Sequence, residues 1–134
     1  MPQVDVLYHT PAAGQVTTNS YADLVFQHPT IPGGSIIVLR NMSKGDGYLI
    51  VRNLHGVNTI ERQVLCAHRP DLPDAQWTVL STVQSIAPGL NGQTFYALPL
   101  GTFLFGTYIK VQVRAQVPGS QGVARGDFRL RINQ

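Results

Sequence analysis

"YIKVQVRAQV", residues 108–117, alternates without a break. Ile109, Val111, Val113, Ala115 and Val117 fall on one side of the run, and Lys110, Gln112, Arg114 and Gln116 on the other. Successive side chains of a β-strand point to opposite faces, so this period of two spells a strand with one apolar face and one face turned to solvent or a partner. "DFRLRIN", residues 127–133, repeats the pattern, with Phe128, Leu130 and Ile132 set against Arg129, Arg131 and Asn133.

Outward from these two runs, helical spacing is hard to find and alternation recurs. Strands are predicted over residues 4–9, 22–28, 35–42, 47–54, 59–68, 77–86 and 94–98. "SIIVLRNM", residues 35–42, has four apolar residues in a row, as a strand covered on both faces would. Gly45-Asp46-Gly47 supplies the positive-φ positions of a tight hairpin after it. Pro, Gly and Asn mark loops at 68–76, 87–93 and 117–126. Eight or nine short strands with turn signals between them predict an all-β fold, an antiparallel β-sandwich of jelly-roll or Ig-like type. No composition break divides residues 1–134, which read as one domain. Residues 1–20 are expected to form an extended N-terminal arm or a first strand.

Charged residues make up 13% of the chain, about half the usual share. Such a surface suits a protein packed against copies of itself or a partner. The net charge of +3 is spread out and lacks the basic stripe that nucleic-acid binding requires. No run approaches the roughly 20 apolar residues of a membrane helix. The first ten residues, "MPQVDVLYHT", lack the basic start and apolar core of an export signal, which predicts folding in a cytoplasm.

Reactive groups are sparse. His9, His28, His55 and His68 contain no close metal-ligand pair, and Glu61 is the only glutamate. Asp23 and Glu61 could form a carboxylate pair only if the topology brought them together. No phosphate-binding glycine loop leads into a helix, and no nucleophile elbow is present. Cys66, within an apolar run, reads as a small buried hydrophobe. These absences predict no catalytic residue, no cofactor and no metal, and hence no enzyme. Trp77 is expected to be a core anchor, with stacking on a sugar ring as the other reading; Tyr96 is a second sugar-platform candidate. Phe95, Tyr96, Phe103, Phe105 and Tyr108 lie within fourteen residues and suit either a protein contact or the core. Arg125-Gly126-Asp127, an adhesion tripeptide elsewhere, reads here as a turn at the start of a terminal strand.

Three segments together carry a resemblance: "QVLCAHRPDLPDAQWTVLSTV", "YIKVQVRAQVPGSQG" and "GDFRLRI", all within residues 60–134. In this order they resemble small β-sandwich structural proteins of tailed bacteriophages, the capsid decoration (cement) and related head or tail accessory proteins. The resemblance implies a virion protein, made in the host cytoplasm, that binds the outside of an assembled shell and stabilises it. Its partners would be the major capsid protein or another virion protein and copies of itself, a trimer being favoured, with no nucleic acid and no membrane. Candidate contact residues are Phe103, Phe105, Tyr108, Lys110, Arg114, Arg129 and Arg131. The alternatives are a carbohydrate-binding β-sandwich module and a tail or connector protein of a phage.

Overall fold

A computed structural model describes residues 3–10, 13–27, 34, 36–38, 45–89, 92–98 and 108–133. Ten strands run in the order β1 (Gln3–His9), β2 (Gln15–Thr17), β3 (Ala22–Asp23), β4 (Ile37–Val38), β5 (Gly45–Asn53), β6 (Ile60–Ala67), β7 (Thr78–Ile86), β8 (Gln93–Leu98), β9 (Tyr108–Ala115) and β10 (Gly122–Asn133). A 3-10 turn, Asp74–Gln76, precedes β7. Sheet one has the order β1-β10-β5-β8, with β2 also on β10; sheet two has the order β3-β9-β6-β7, with β4 also on β9. Every pairing is antiparallel.

The pairings nest. β1 takes β10, β3 and β4 take β9, β5 takes β8 and β6 takes β7, as in one long hairpin bent back at the 3-10 turn. Winding that hairpin places β10 beside β5 and β9 beside β6. Of consecutive described strands, only β6 and β7 are neighbours. An Ig sandwich would show neighbouring consecutive strands in the sheet that carries its first pair. This one is a jelly roll.

The apolar faces meet between the sheets. Val111, Val113 and Ile109 of β9 and Ile60 and Val64 of β6 pack against Leu49 and Val51 of β5 and Ala124 and Phe128 of β10, with Leu24 and Phe26 closing one side. Phe26 meets Phe128 edge-on, with ring centroids 6.4 Å apart. Gly126 lies beneath this pair. A Cβ there would stand 2.6 Å from Leu24 Cδ2 and 2.8 Å from Phe26 Cε1, so a side chain at this position would have to push both aside.

Several local expectations are corrected. Arg125-Gly126-Asp127 is no turn; it lies inside β10, paired in that order with Arg52, Val51 and Ile50 of β5. Gly45-Asp46-Gly47 is likewise strand, opposite Leu130 to Ile132, because the ladder with β10 outweighs the local preference of glycine for turns. The predicted strand 22–28 stops at Asp23 and continues as isolated bridges from Phe26 and Gln27; His28 lies outside the described residues. Of the predicted strand 35–42, Ile37–Val38 is described as β4. Residues 3–9 and 15–17 pair with β10, and the Thr17 hydroxyl donates to the Val113 carbonyl at 3.0 Å. The expected connection 117–126 is shorter, since β10 begins at Gly122.

Candidate interaction surface

The outer face of sheet two is covered by the chain itself over β9 and the end of β6, while Val79 and Val83 of β7 stay exposed. The segment after β6 folds back over β9 and is held by Trp77, whose Nε1 donates to the Leu72 carbonyl at 2.9 Å. Leu65, Ala67 and Trp77 form a second small core there, with Leu72 and Tyr108 packed against it. Lys110, expected to face outward into solvent or a partner, lies beneath this flap with 3% of its surface exposed. Its ammonium is 4.5 Å from the centre of the Trp77 ring and donates to the Asp74 carboxylate, with Asp23 3.6 Å away. Gln112 Nε2 donates to both carboxylates, at 3.1 Å to Asp23 and 3.0 Å to Asp74. Alternation correctly gave Lys110 the opposite side from the core; what covers that side is decided by a distant loop. A buried ammonium costs several kcal/mol, of order, unless paired and hydrogen-bonded, and here it is both.

The chemistry of this cluster is structural. The Asp74 carboxyl is held below its ordinary range, first by the Lys110 hydrogen bond and then by that from Gln112, against the opposing effect of burial. The Asp74 carboxylate therefore serves as the acceptor that fixes the flap, and Asp23 on β3 accepts from Gln112 beside it. Arg114, on the same face, donates to Glu61 at 3.0 Å and stacks over the Tyr21 ring at 4.3 Å. Asp23 and Glu61 thus serve different cations.

Between the sheets, Arg62 is 3% exposed. Its Nε donates to Thr94 Oγ1 at 3.1 Å and its Nη1 to Ser81 Oγ at 2.7 Å, and the guanidinium lies 5.9 Å from the centre of the Tyr96 ring. Burial pushes the Cys66 thiol up, away from thiolate. An open groove of ≈ 420 Å³ at one end of the sandwich is lined by Arg52, Asn53, Leu54, His55, Gly56, Gly89 and Gly92. His55 Nδ1 already accepts the backbone N–H groups of Val57 (3.1 Å) and Asn58 (2.9 Å), so this nitrogen is committed to the turn. Among the described residues, no group of three His, Cys, Asp or Glu side chains could hold a metal ion.

Sheet one presents a different outer surface. Leu49 and Val51 face the core, so Tyr48, Ile50 and Arg52 face out. In register with them lie Ala97, Phe95 and Gln93 on β8 and Arg129, Asp127 and Arg125 on β10. Phe95 is 62% exposed and stacks on Tyr48, with centroids 5.4 Å apart. Arg129 Nη1 reaches the Tyr48 hydroxyl at 3.4 Å, and Arg52 lies 3.8 Å from Asp127. Arg125 Nε is buried without a hydrogen-bond partner. The result is an aromatic pair framed by three guanidiniums and one carboxylate. Aromatics and Arg are the residue types enriched in protein interfaces, where Lys and Glu are depleted.

The predicted contact residues are thereby separated. Arg129 belongs to this surface, and Arg131 lies two residues further along β10, in register with Asp5 and Asp46. Lys110 and Arg114 sit on the other sheet and are engaged within the chain, while Tyr108 packs into the second core. Phe103 and Phe105 lie outside the described residues. Neither sugar platform stands on the surface: Trp77 is 6% exposed under the flap, and Tyr96 packs against the main core. Tyr48 and Phe95, on strands far apart in sequence, were missed as a pair because their contact arises from the β5–β8 register.

No family model matches the chain. No curated protein matches it either. Among solved structures it is similar to a chain in the structure of infectious bursal disease virus Gx strain, with a TM-score of 0.32 and 14% sequence identity. The match covers 99% of this chain and 30% of that one. A likeness this loose carries no argument about role.

Proposed function

We propose that the chain is a non-enzymatic structural protein of a virion, one that binds the outside of a phage capsid as a decoration or cement protein and stabilises it. The outer face of sheet one carries this reading: Phe95, exposed and stacked on a half-buried Tyr48, shares that face with Arg52, Arg129 and, by register, Arg125, with Asp127 as the one described carboxylate in the array. That composition fits an acidic, partly apolar patch on a major capsid protein, with the aromatics giving contact area and the guanidiniums setting orientation. Lys110, Arg114, Asp23, Asp74 and Glu61 are occupied in holding the fold, which supports a role through shape and contact. The jelly roll is shared by capsid, lectin and enzyme domains, so the surface has to carry the reading and the fold alone does not.

The test is addition of purified chain to shells that lack it. The expected result is saturable binding and a raised temperature of shell disruption, both weakened by Phe95→Ala and by Arg52→Glu. Shells that ignore the folded wild-type chain refute the proposal.

A further inference from the structure

The edge of a sheet carries a row of unpaired backbone donors and acceptors, and proteins blunt it with charge, proline, bulges or short strands. Three of the four edges here have such a device. β1 contains Asp5, the β3 and β4 edge consists of two-residue strands, and β7 is broken by register shifts opposite Arg62, Val64 and Leu65. β8 has none of them. Gln93-Thr94-Phe95-Tyr96-Ala97-Leu98 holds no charged residue and no proline, and its six pairs with β5 run without a shift. Among the described residues, no strand pairs with its free side.

We infer that the free edge of β8 pairs antiparallel with β8 of a second copy of this chain about a two-fold axis. An uncharged strand meets its own copy without like-charge repulsion, and a two-fold contact uses the same patch twice. With the axis at Phe95, that ring faces its symmetry mate, Thr94 faces Tyr96 and Gln93 faces Ala97. The Tyr48–Phe95 stack then continues across the junction as four rings, and two copies of sheet one become a single sheet. Backbone hydrogen bonds supply the attraction, as in other strand additions. The inference rests on the reading of the chain as a structural protein that works by surface contact, takes a two-fold pair in place of the trimer that the resemblance favours, and is tested apart from shell binding.

Sedimentation equilibrium on the full chain, with circular dichroism and cooperative melting as fold checks, tests it. The wild type is expected to dimerise with concentration. Phe95→Lys and Phe95→Glu should each associate at least about tenfold more weakly, since like charges then oppose each other across the axis. An equimolar mixture of the two should regain association. Where a change at Phe95 disturbs the fold, Gln93→Lys combined with Ala97→Lys sets like charges opposite each other twice in the same seam and should also give a monomer. A monomeric wild type, charge variants that associate as the wild type does, or a mixture that stays monomeric overturns the inference. A monomeric wild type that still decorates shells removes this seam alone; dimers that obey the charge rule but never bind shells remove the shell reading alone.

Discussion

Lys110 lies with its ammonium 4.5 Å from the centre of the Trp77 ring, so the lysine is held from above by an aromatic face and from the side by Asp74. This contact ties the flap before β7 to the middle strand pair of sheet two. Removing the carboxylate leaves a buried cation with Asp23 as its remaining acid, 3.6 Å away. Breaking a fully buried pair costs about 3–5 kcal/mol. Asp74 has 67% of its side chain exposed, and solvent screening lowers the figure. Asp74→Ala is expected to cost about 1–2 kcal/mol, read by urea unfolding.

The same contact sets an acid response. The Asp74 carboxyl titrates below its ordinary value in the folded chain, so the folded state binds fewer protons than the unfolded one in that range. Its contribution is complete above the unfolded pKa of about 3.9 and is lost as the pH falls through the lower folded value. Trp77 fluorescence should therefore change below about pH 4, and Asp74→Asn should flatten that transition. Asp71, also held low by its hydrogen bonds from Arg69, is exposed and touches neither Lys110 nor Gln112, and Asp71→Asn should leave the Trp77 signal in place.

Gly126 tests the packing of the jelly roll. Gly126→Ala drives a methyl into Leu24 and Phe26, and overpacking of this kind costs about 1–3 kcal/mol. Phe128→Ala, from the opposite direction, should cost about 3–5 kcal/mol by opening a cavity against Phe26. Thermal melts of both variants check the pair, and an unchanged melting temperature for either contradicts the core described above.

Cys66 packs against the main core, and burial holds its thiol protonated. Alkylation by iodoacetamide at neutral pH should be much slower in the native chain than in urea. Equal rates in the two conditions would show that the thiol is open.

Part of this fold is legible in the sequence because a period of two survives in two of the long strands. β9 and the second half of β10 follow runs whose alternation can be read directly, whereas in β6 a core-facing Arg62 and a shift at Val64–Leu65 hide it, and in β7 Val79 and Val83 face out while Leu80 and Ile86 face in. The choice of jelly roll over Ig-like sandwich is not legible, since it rests on pairings such as Val4 with Ile132 that no local signal encodes. Glycines misled twice. Gly45 and Gly126 are in strands because tertiary pairing overrides turn preference, and at Gly126 a Cβ would press on Leu24 and Phe26. For the contact surface, alternation separates Phe95 from Tyr96 but does not say which faces out. Packing answers that: Tyr96 lies against the core with Arg62 beside it, and Phe95 is left on the surface.

Quantitative mass spectrometry of whole particles, giving the number of copies of this chain per copy of the major capsid protein, tests the central claim most directly. A protein that acts by covering a shell is expected in a fixed, high ratio to the capsid subunit, falling when Phe95→Ala replaces the wild type during assembly. Absence from particles, or a few copies confined to one vertex, would contradict it.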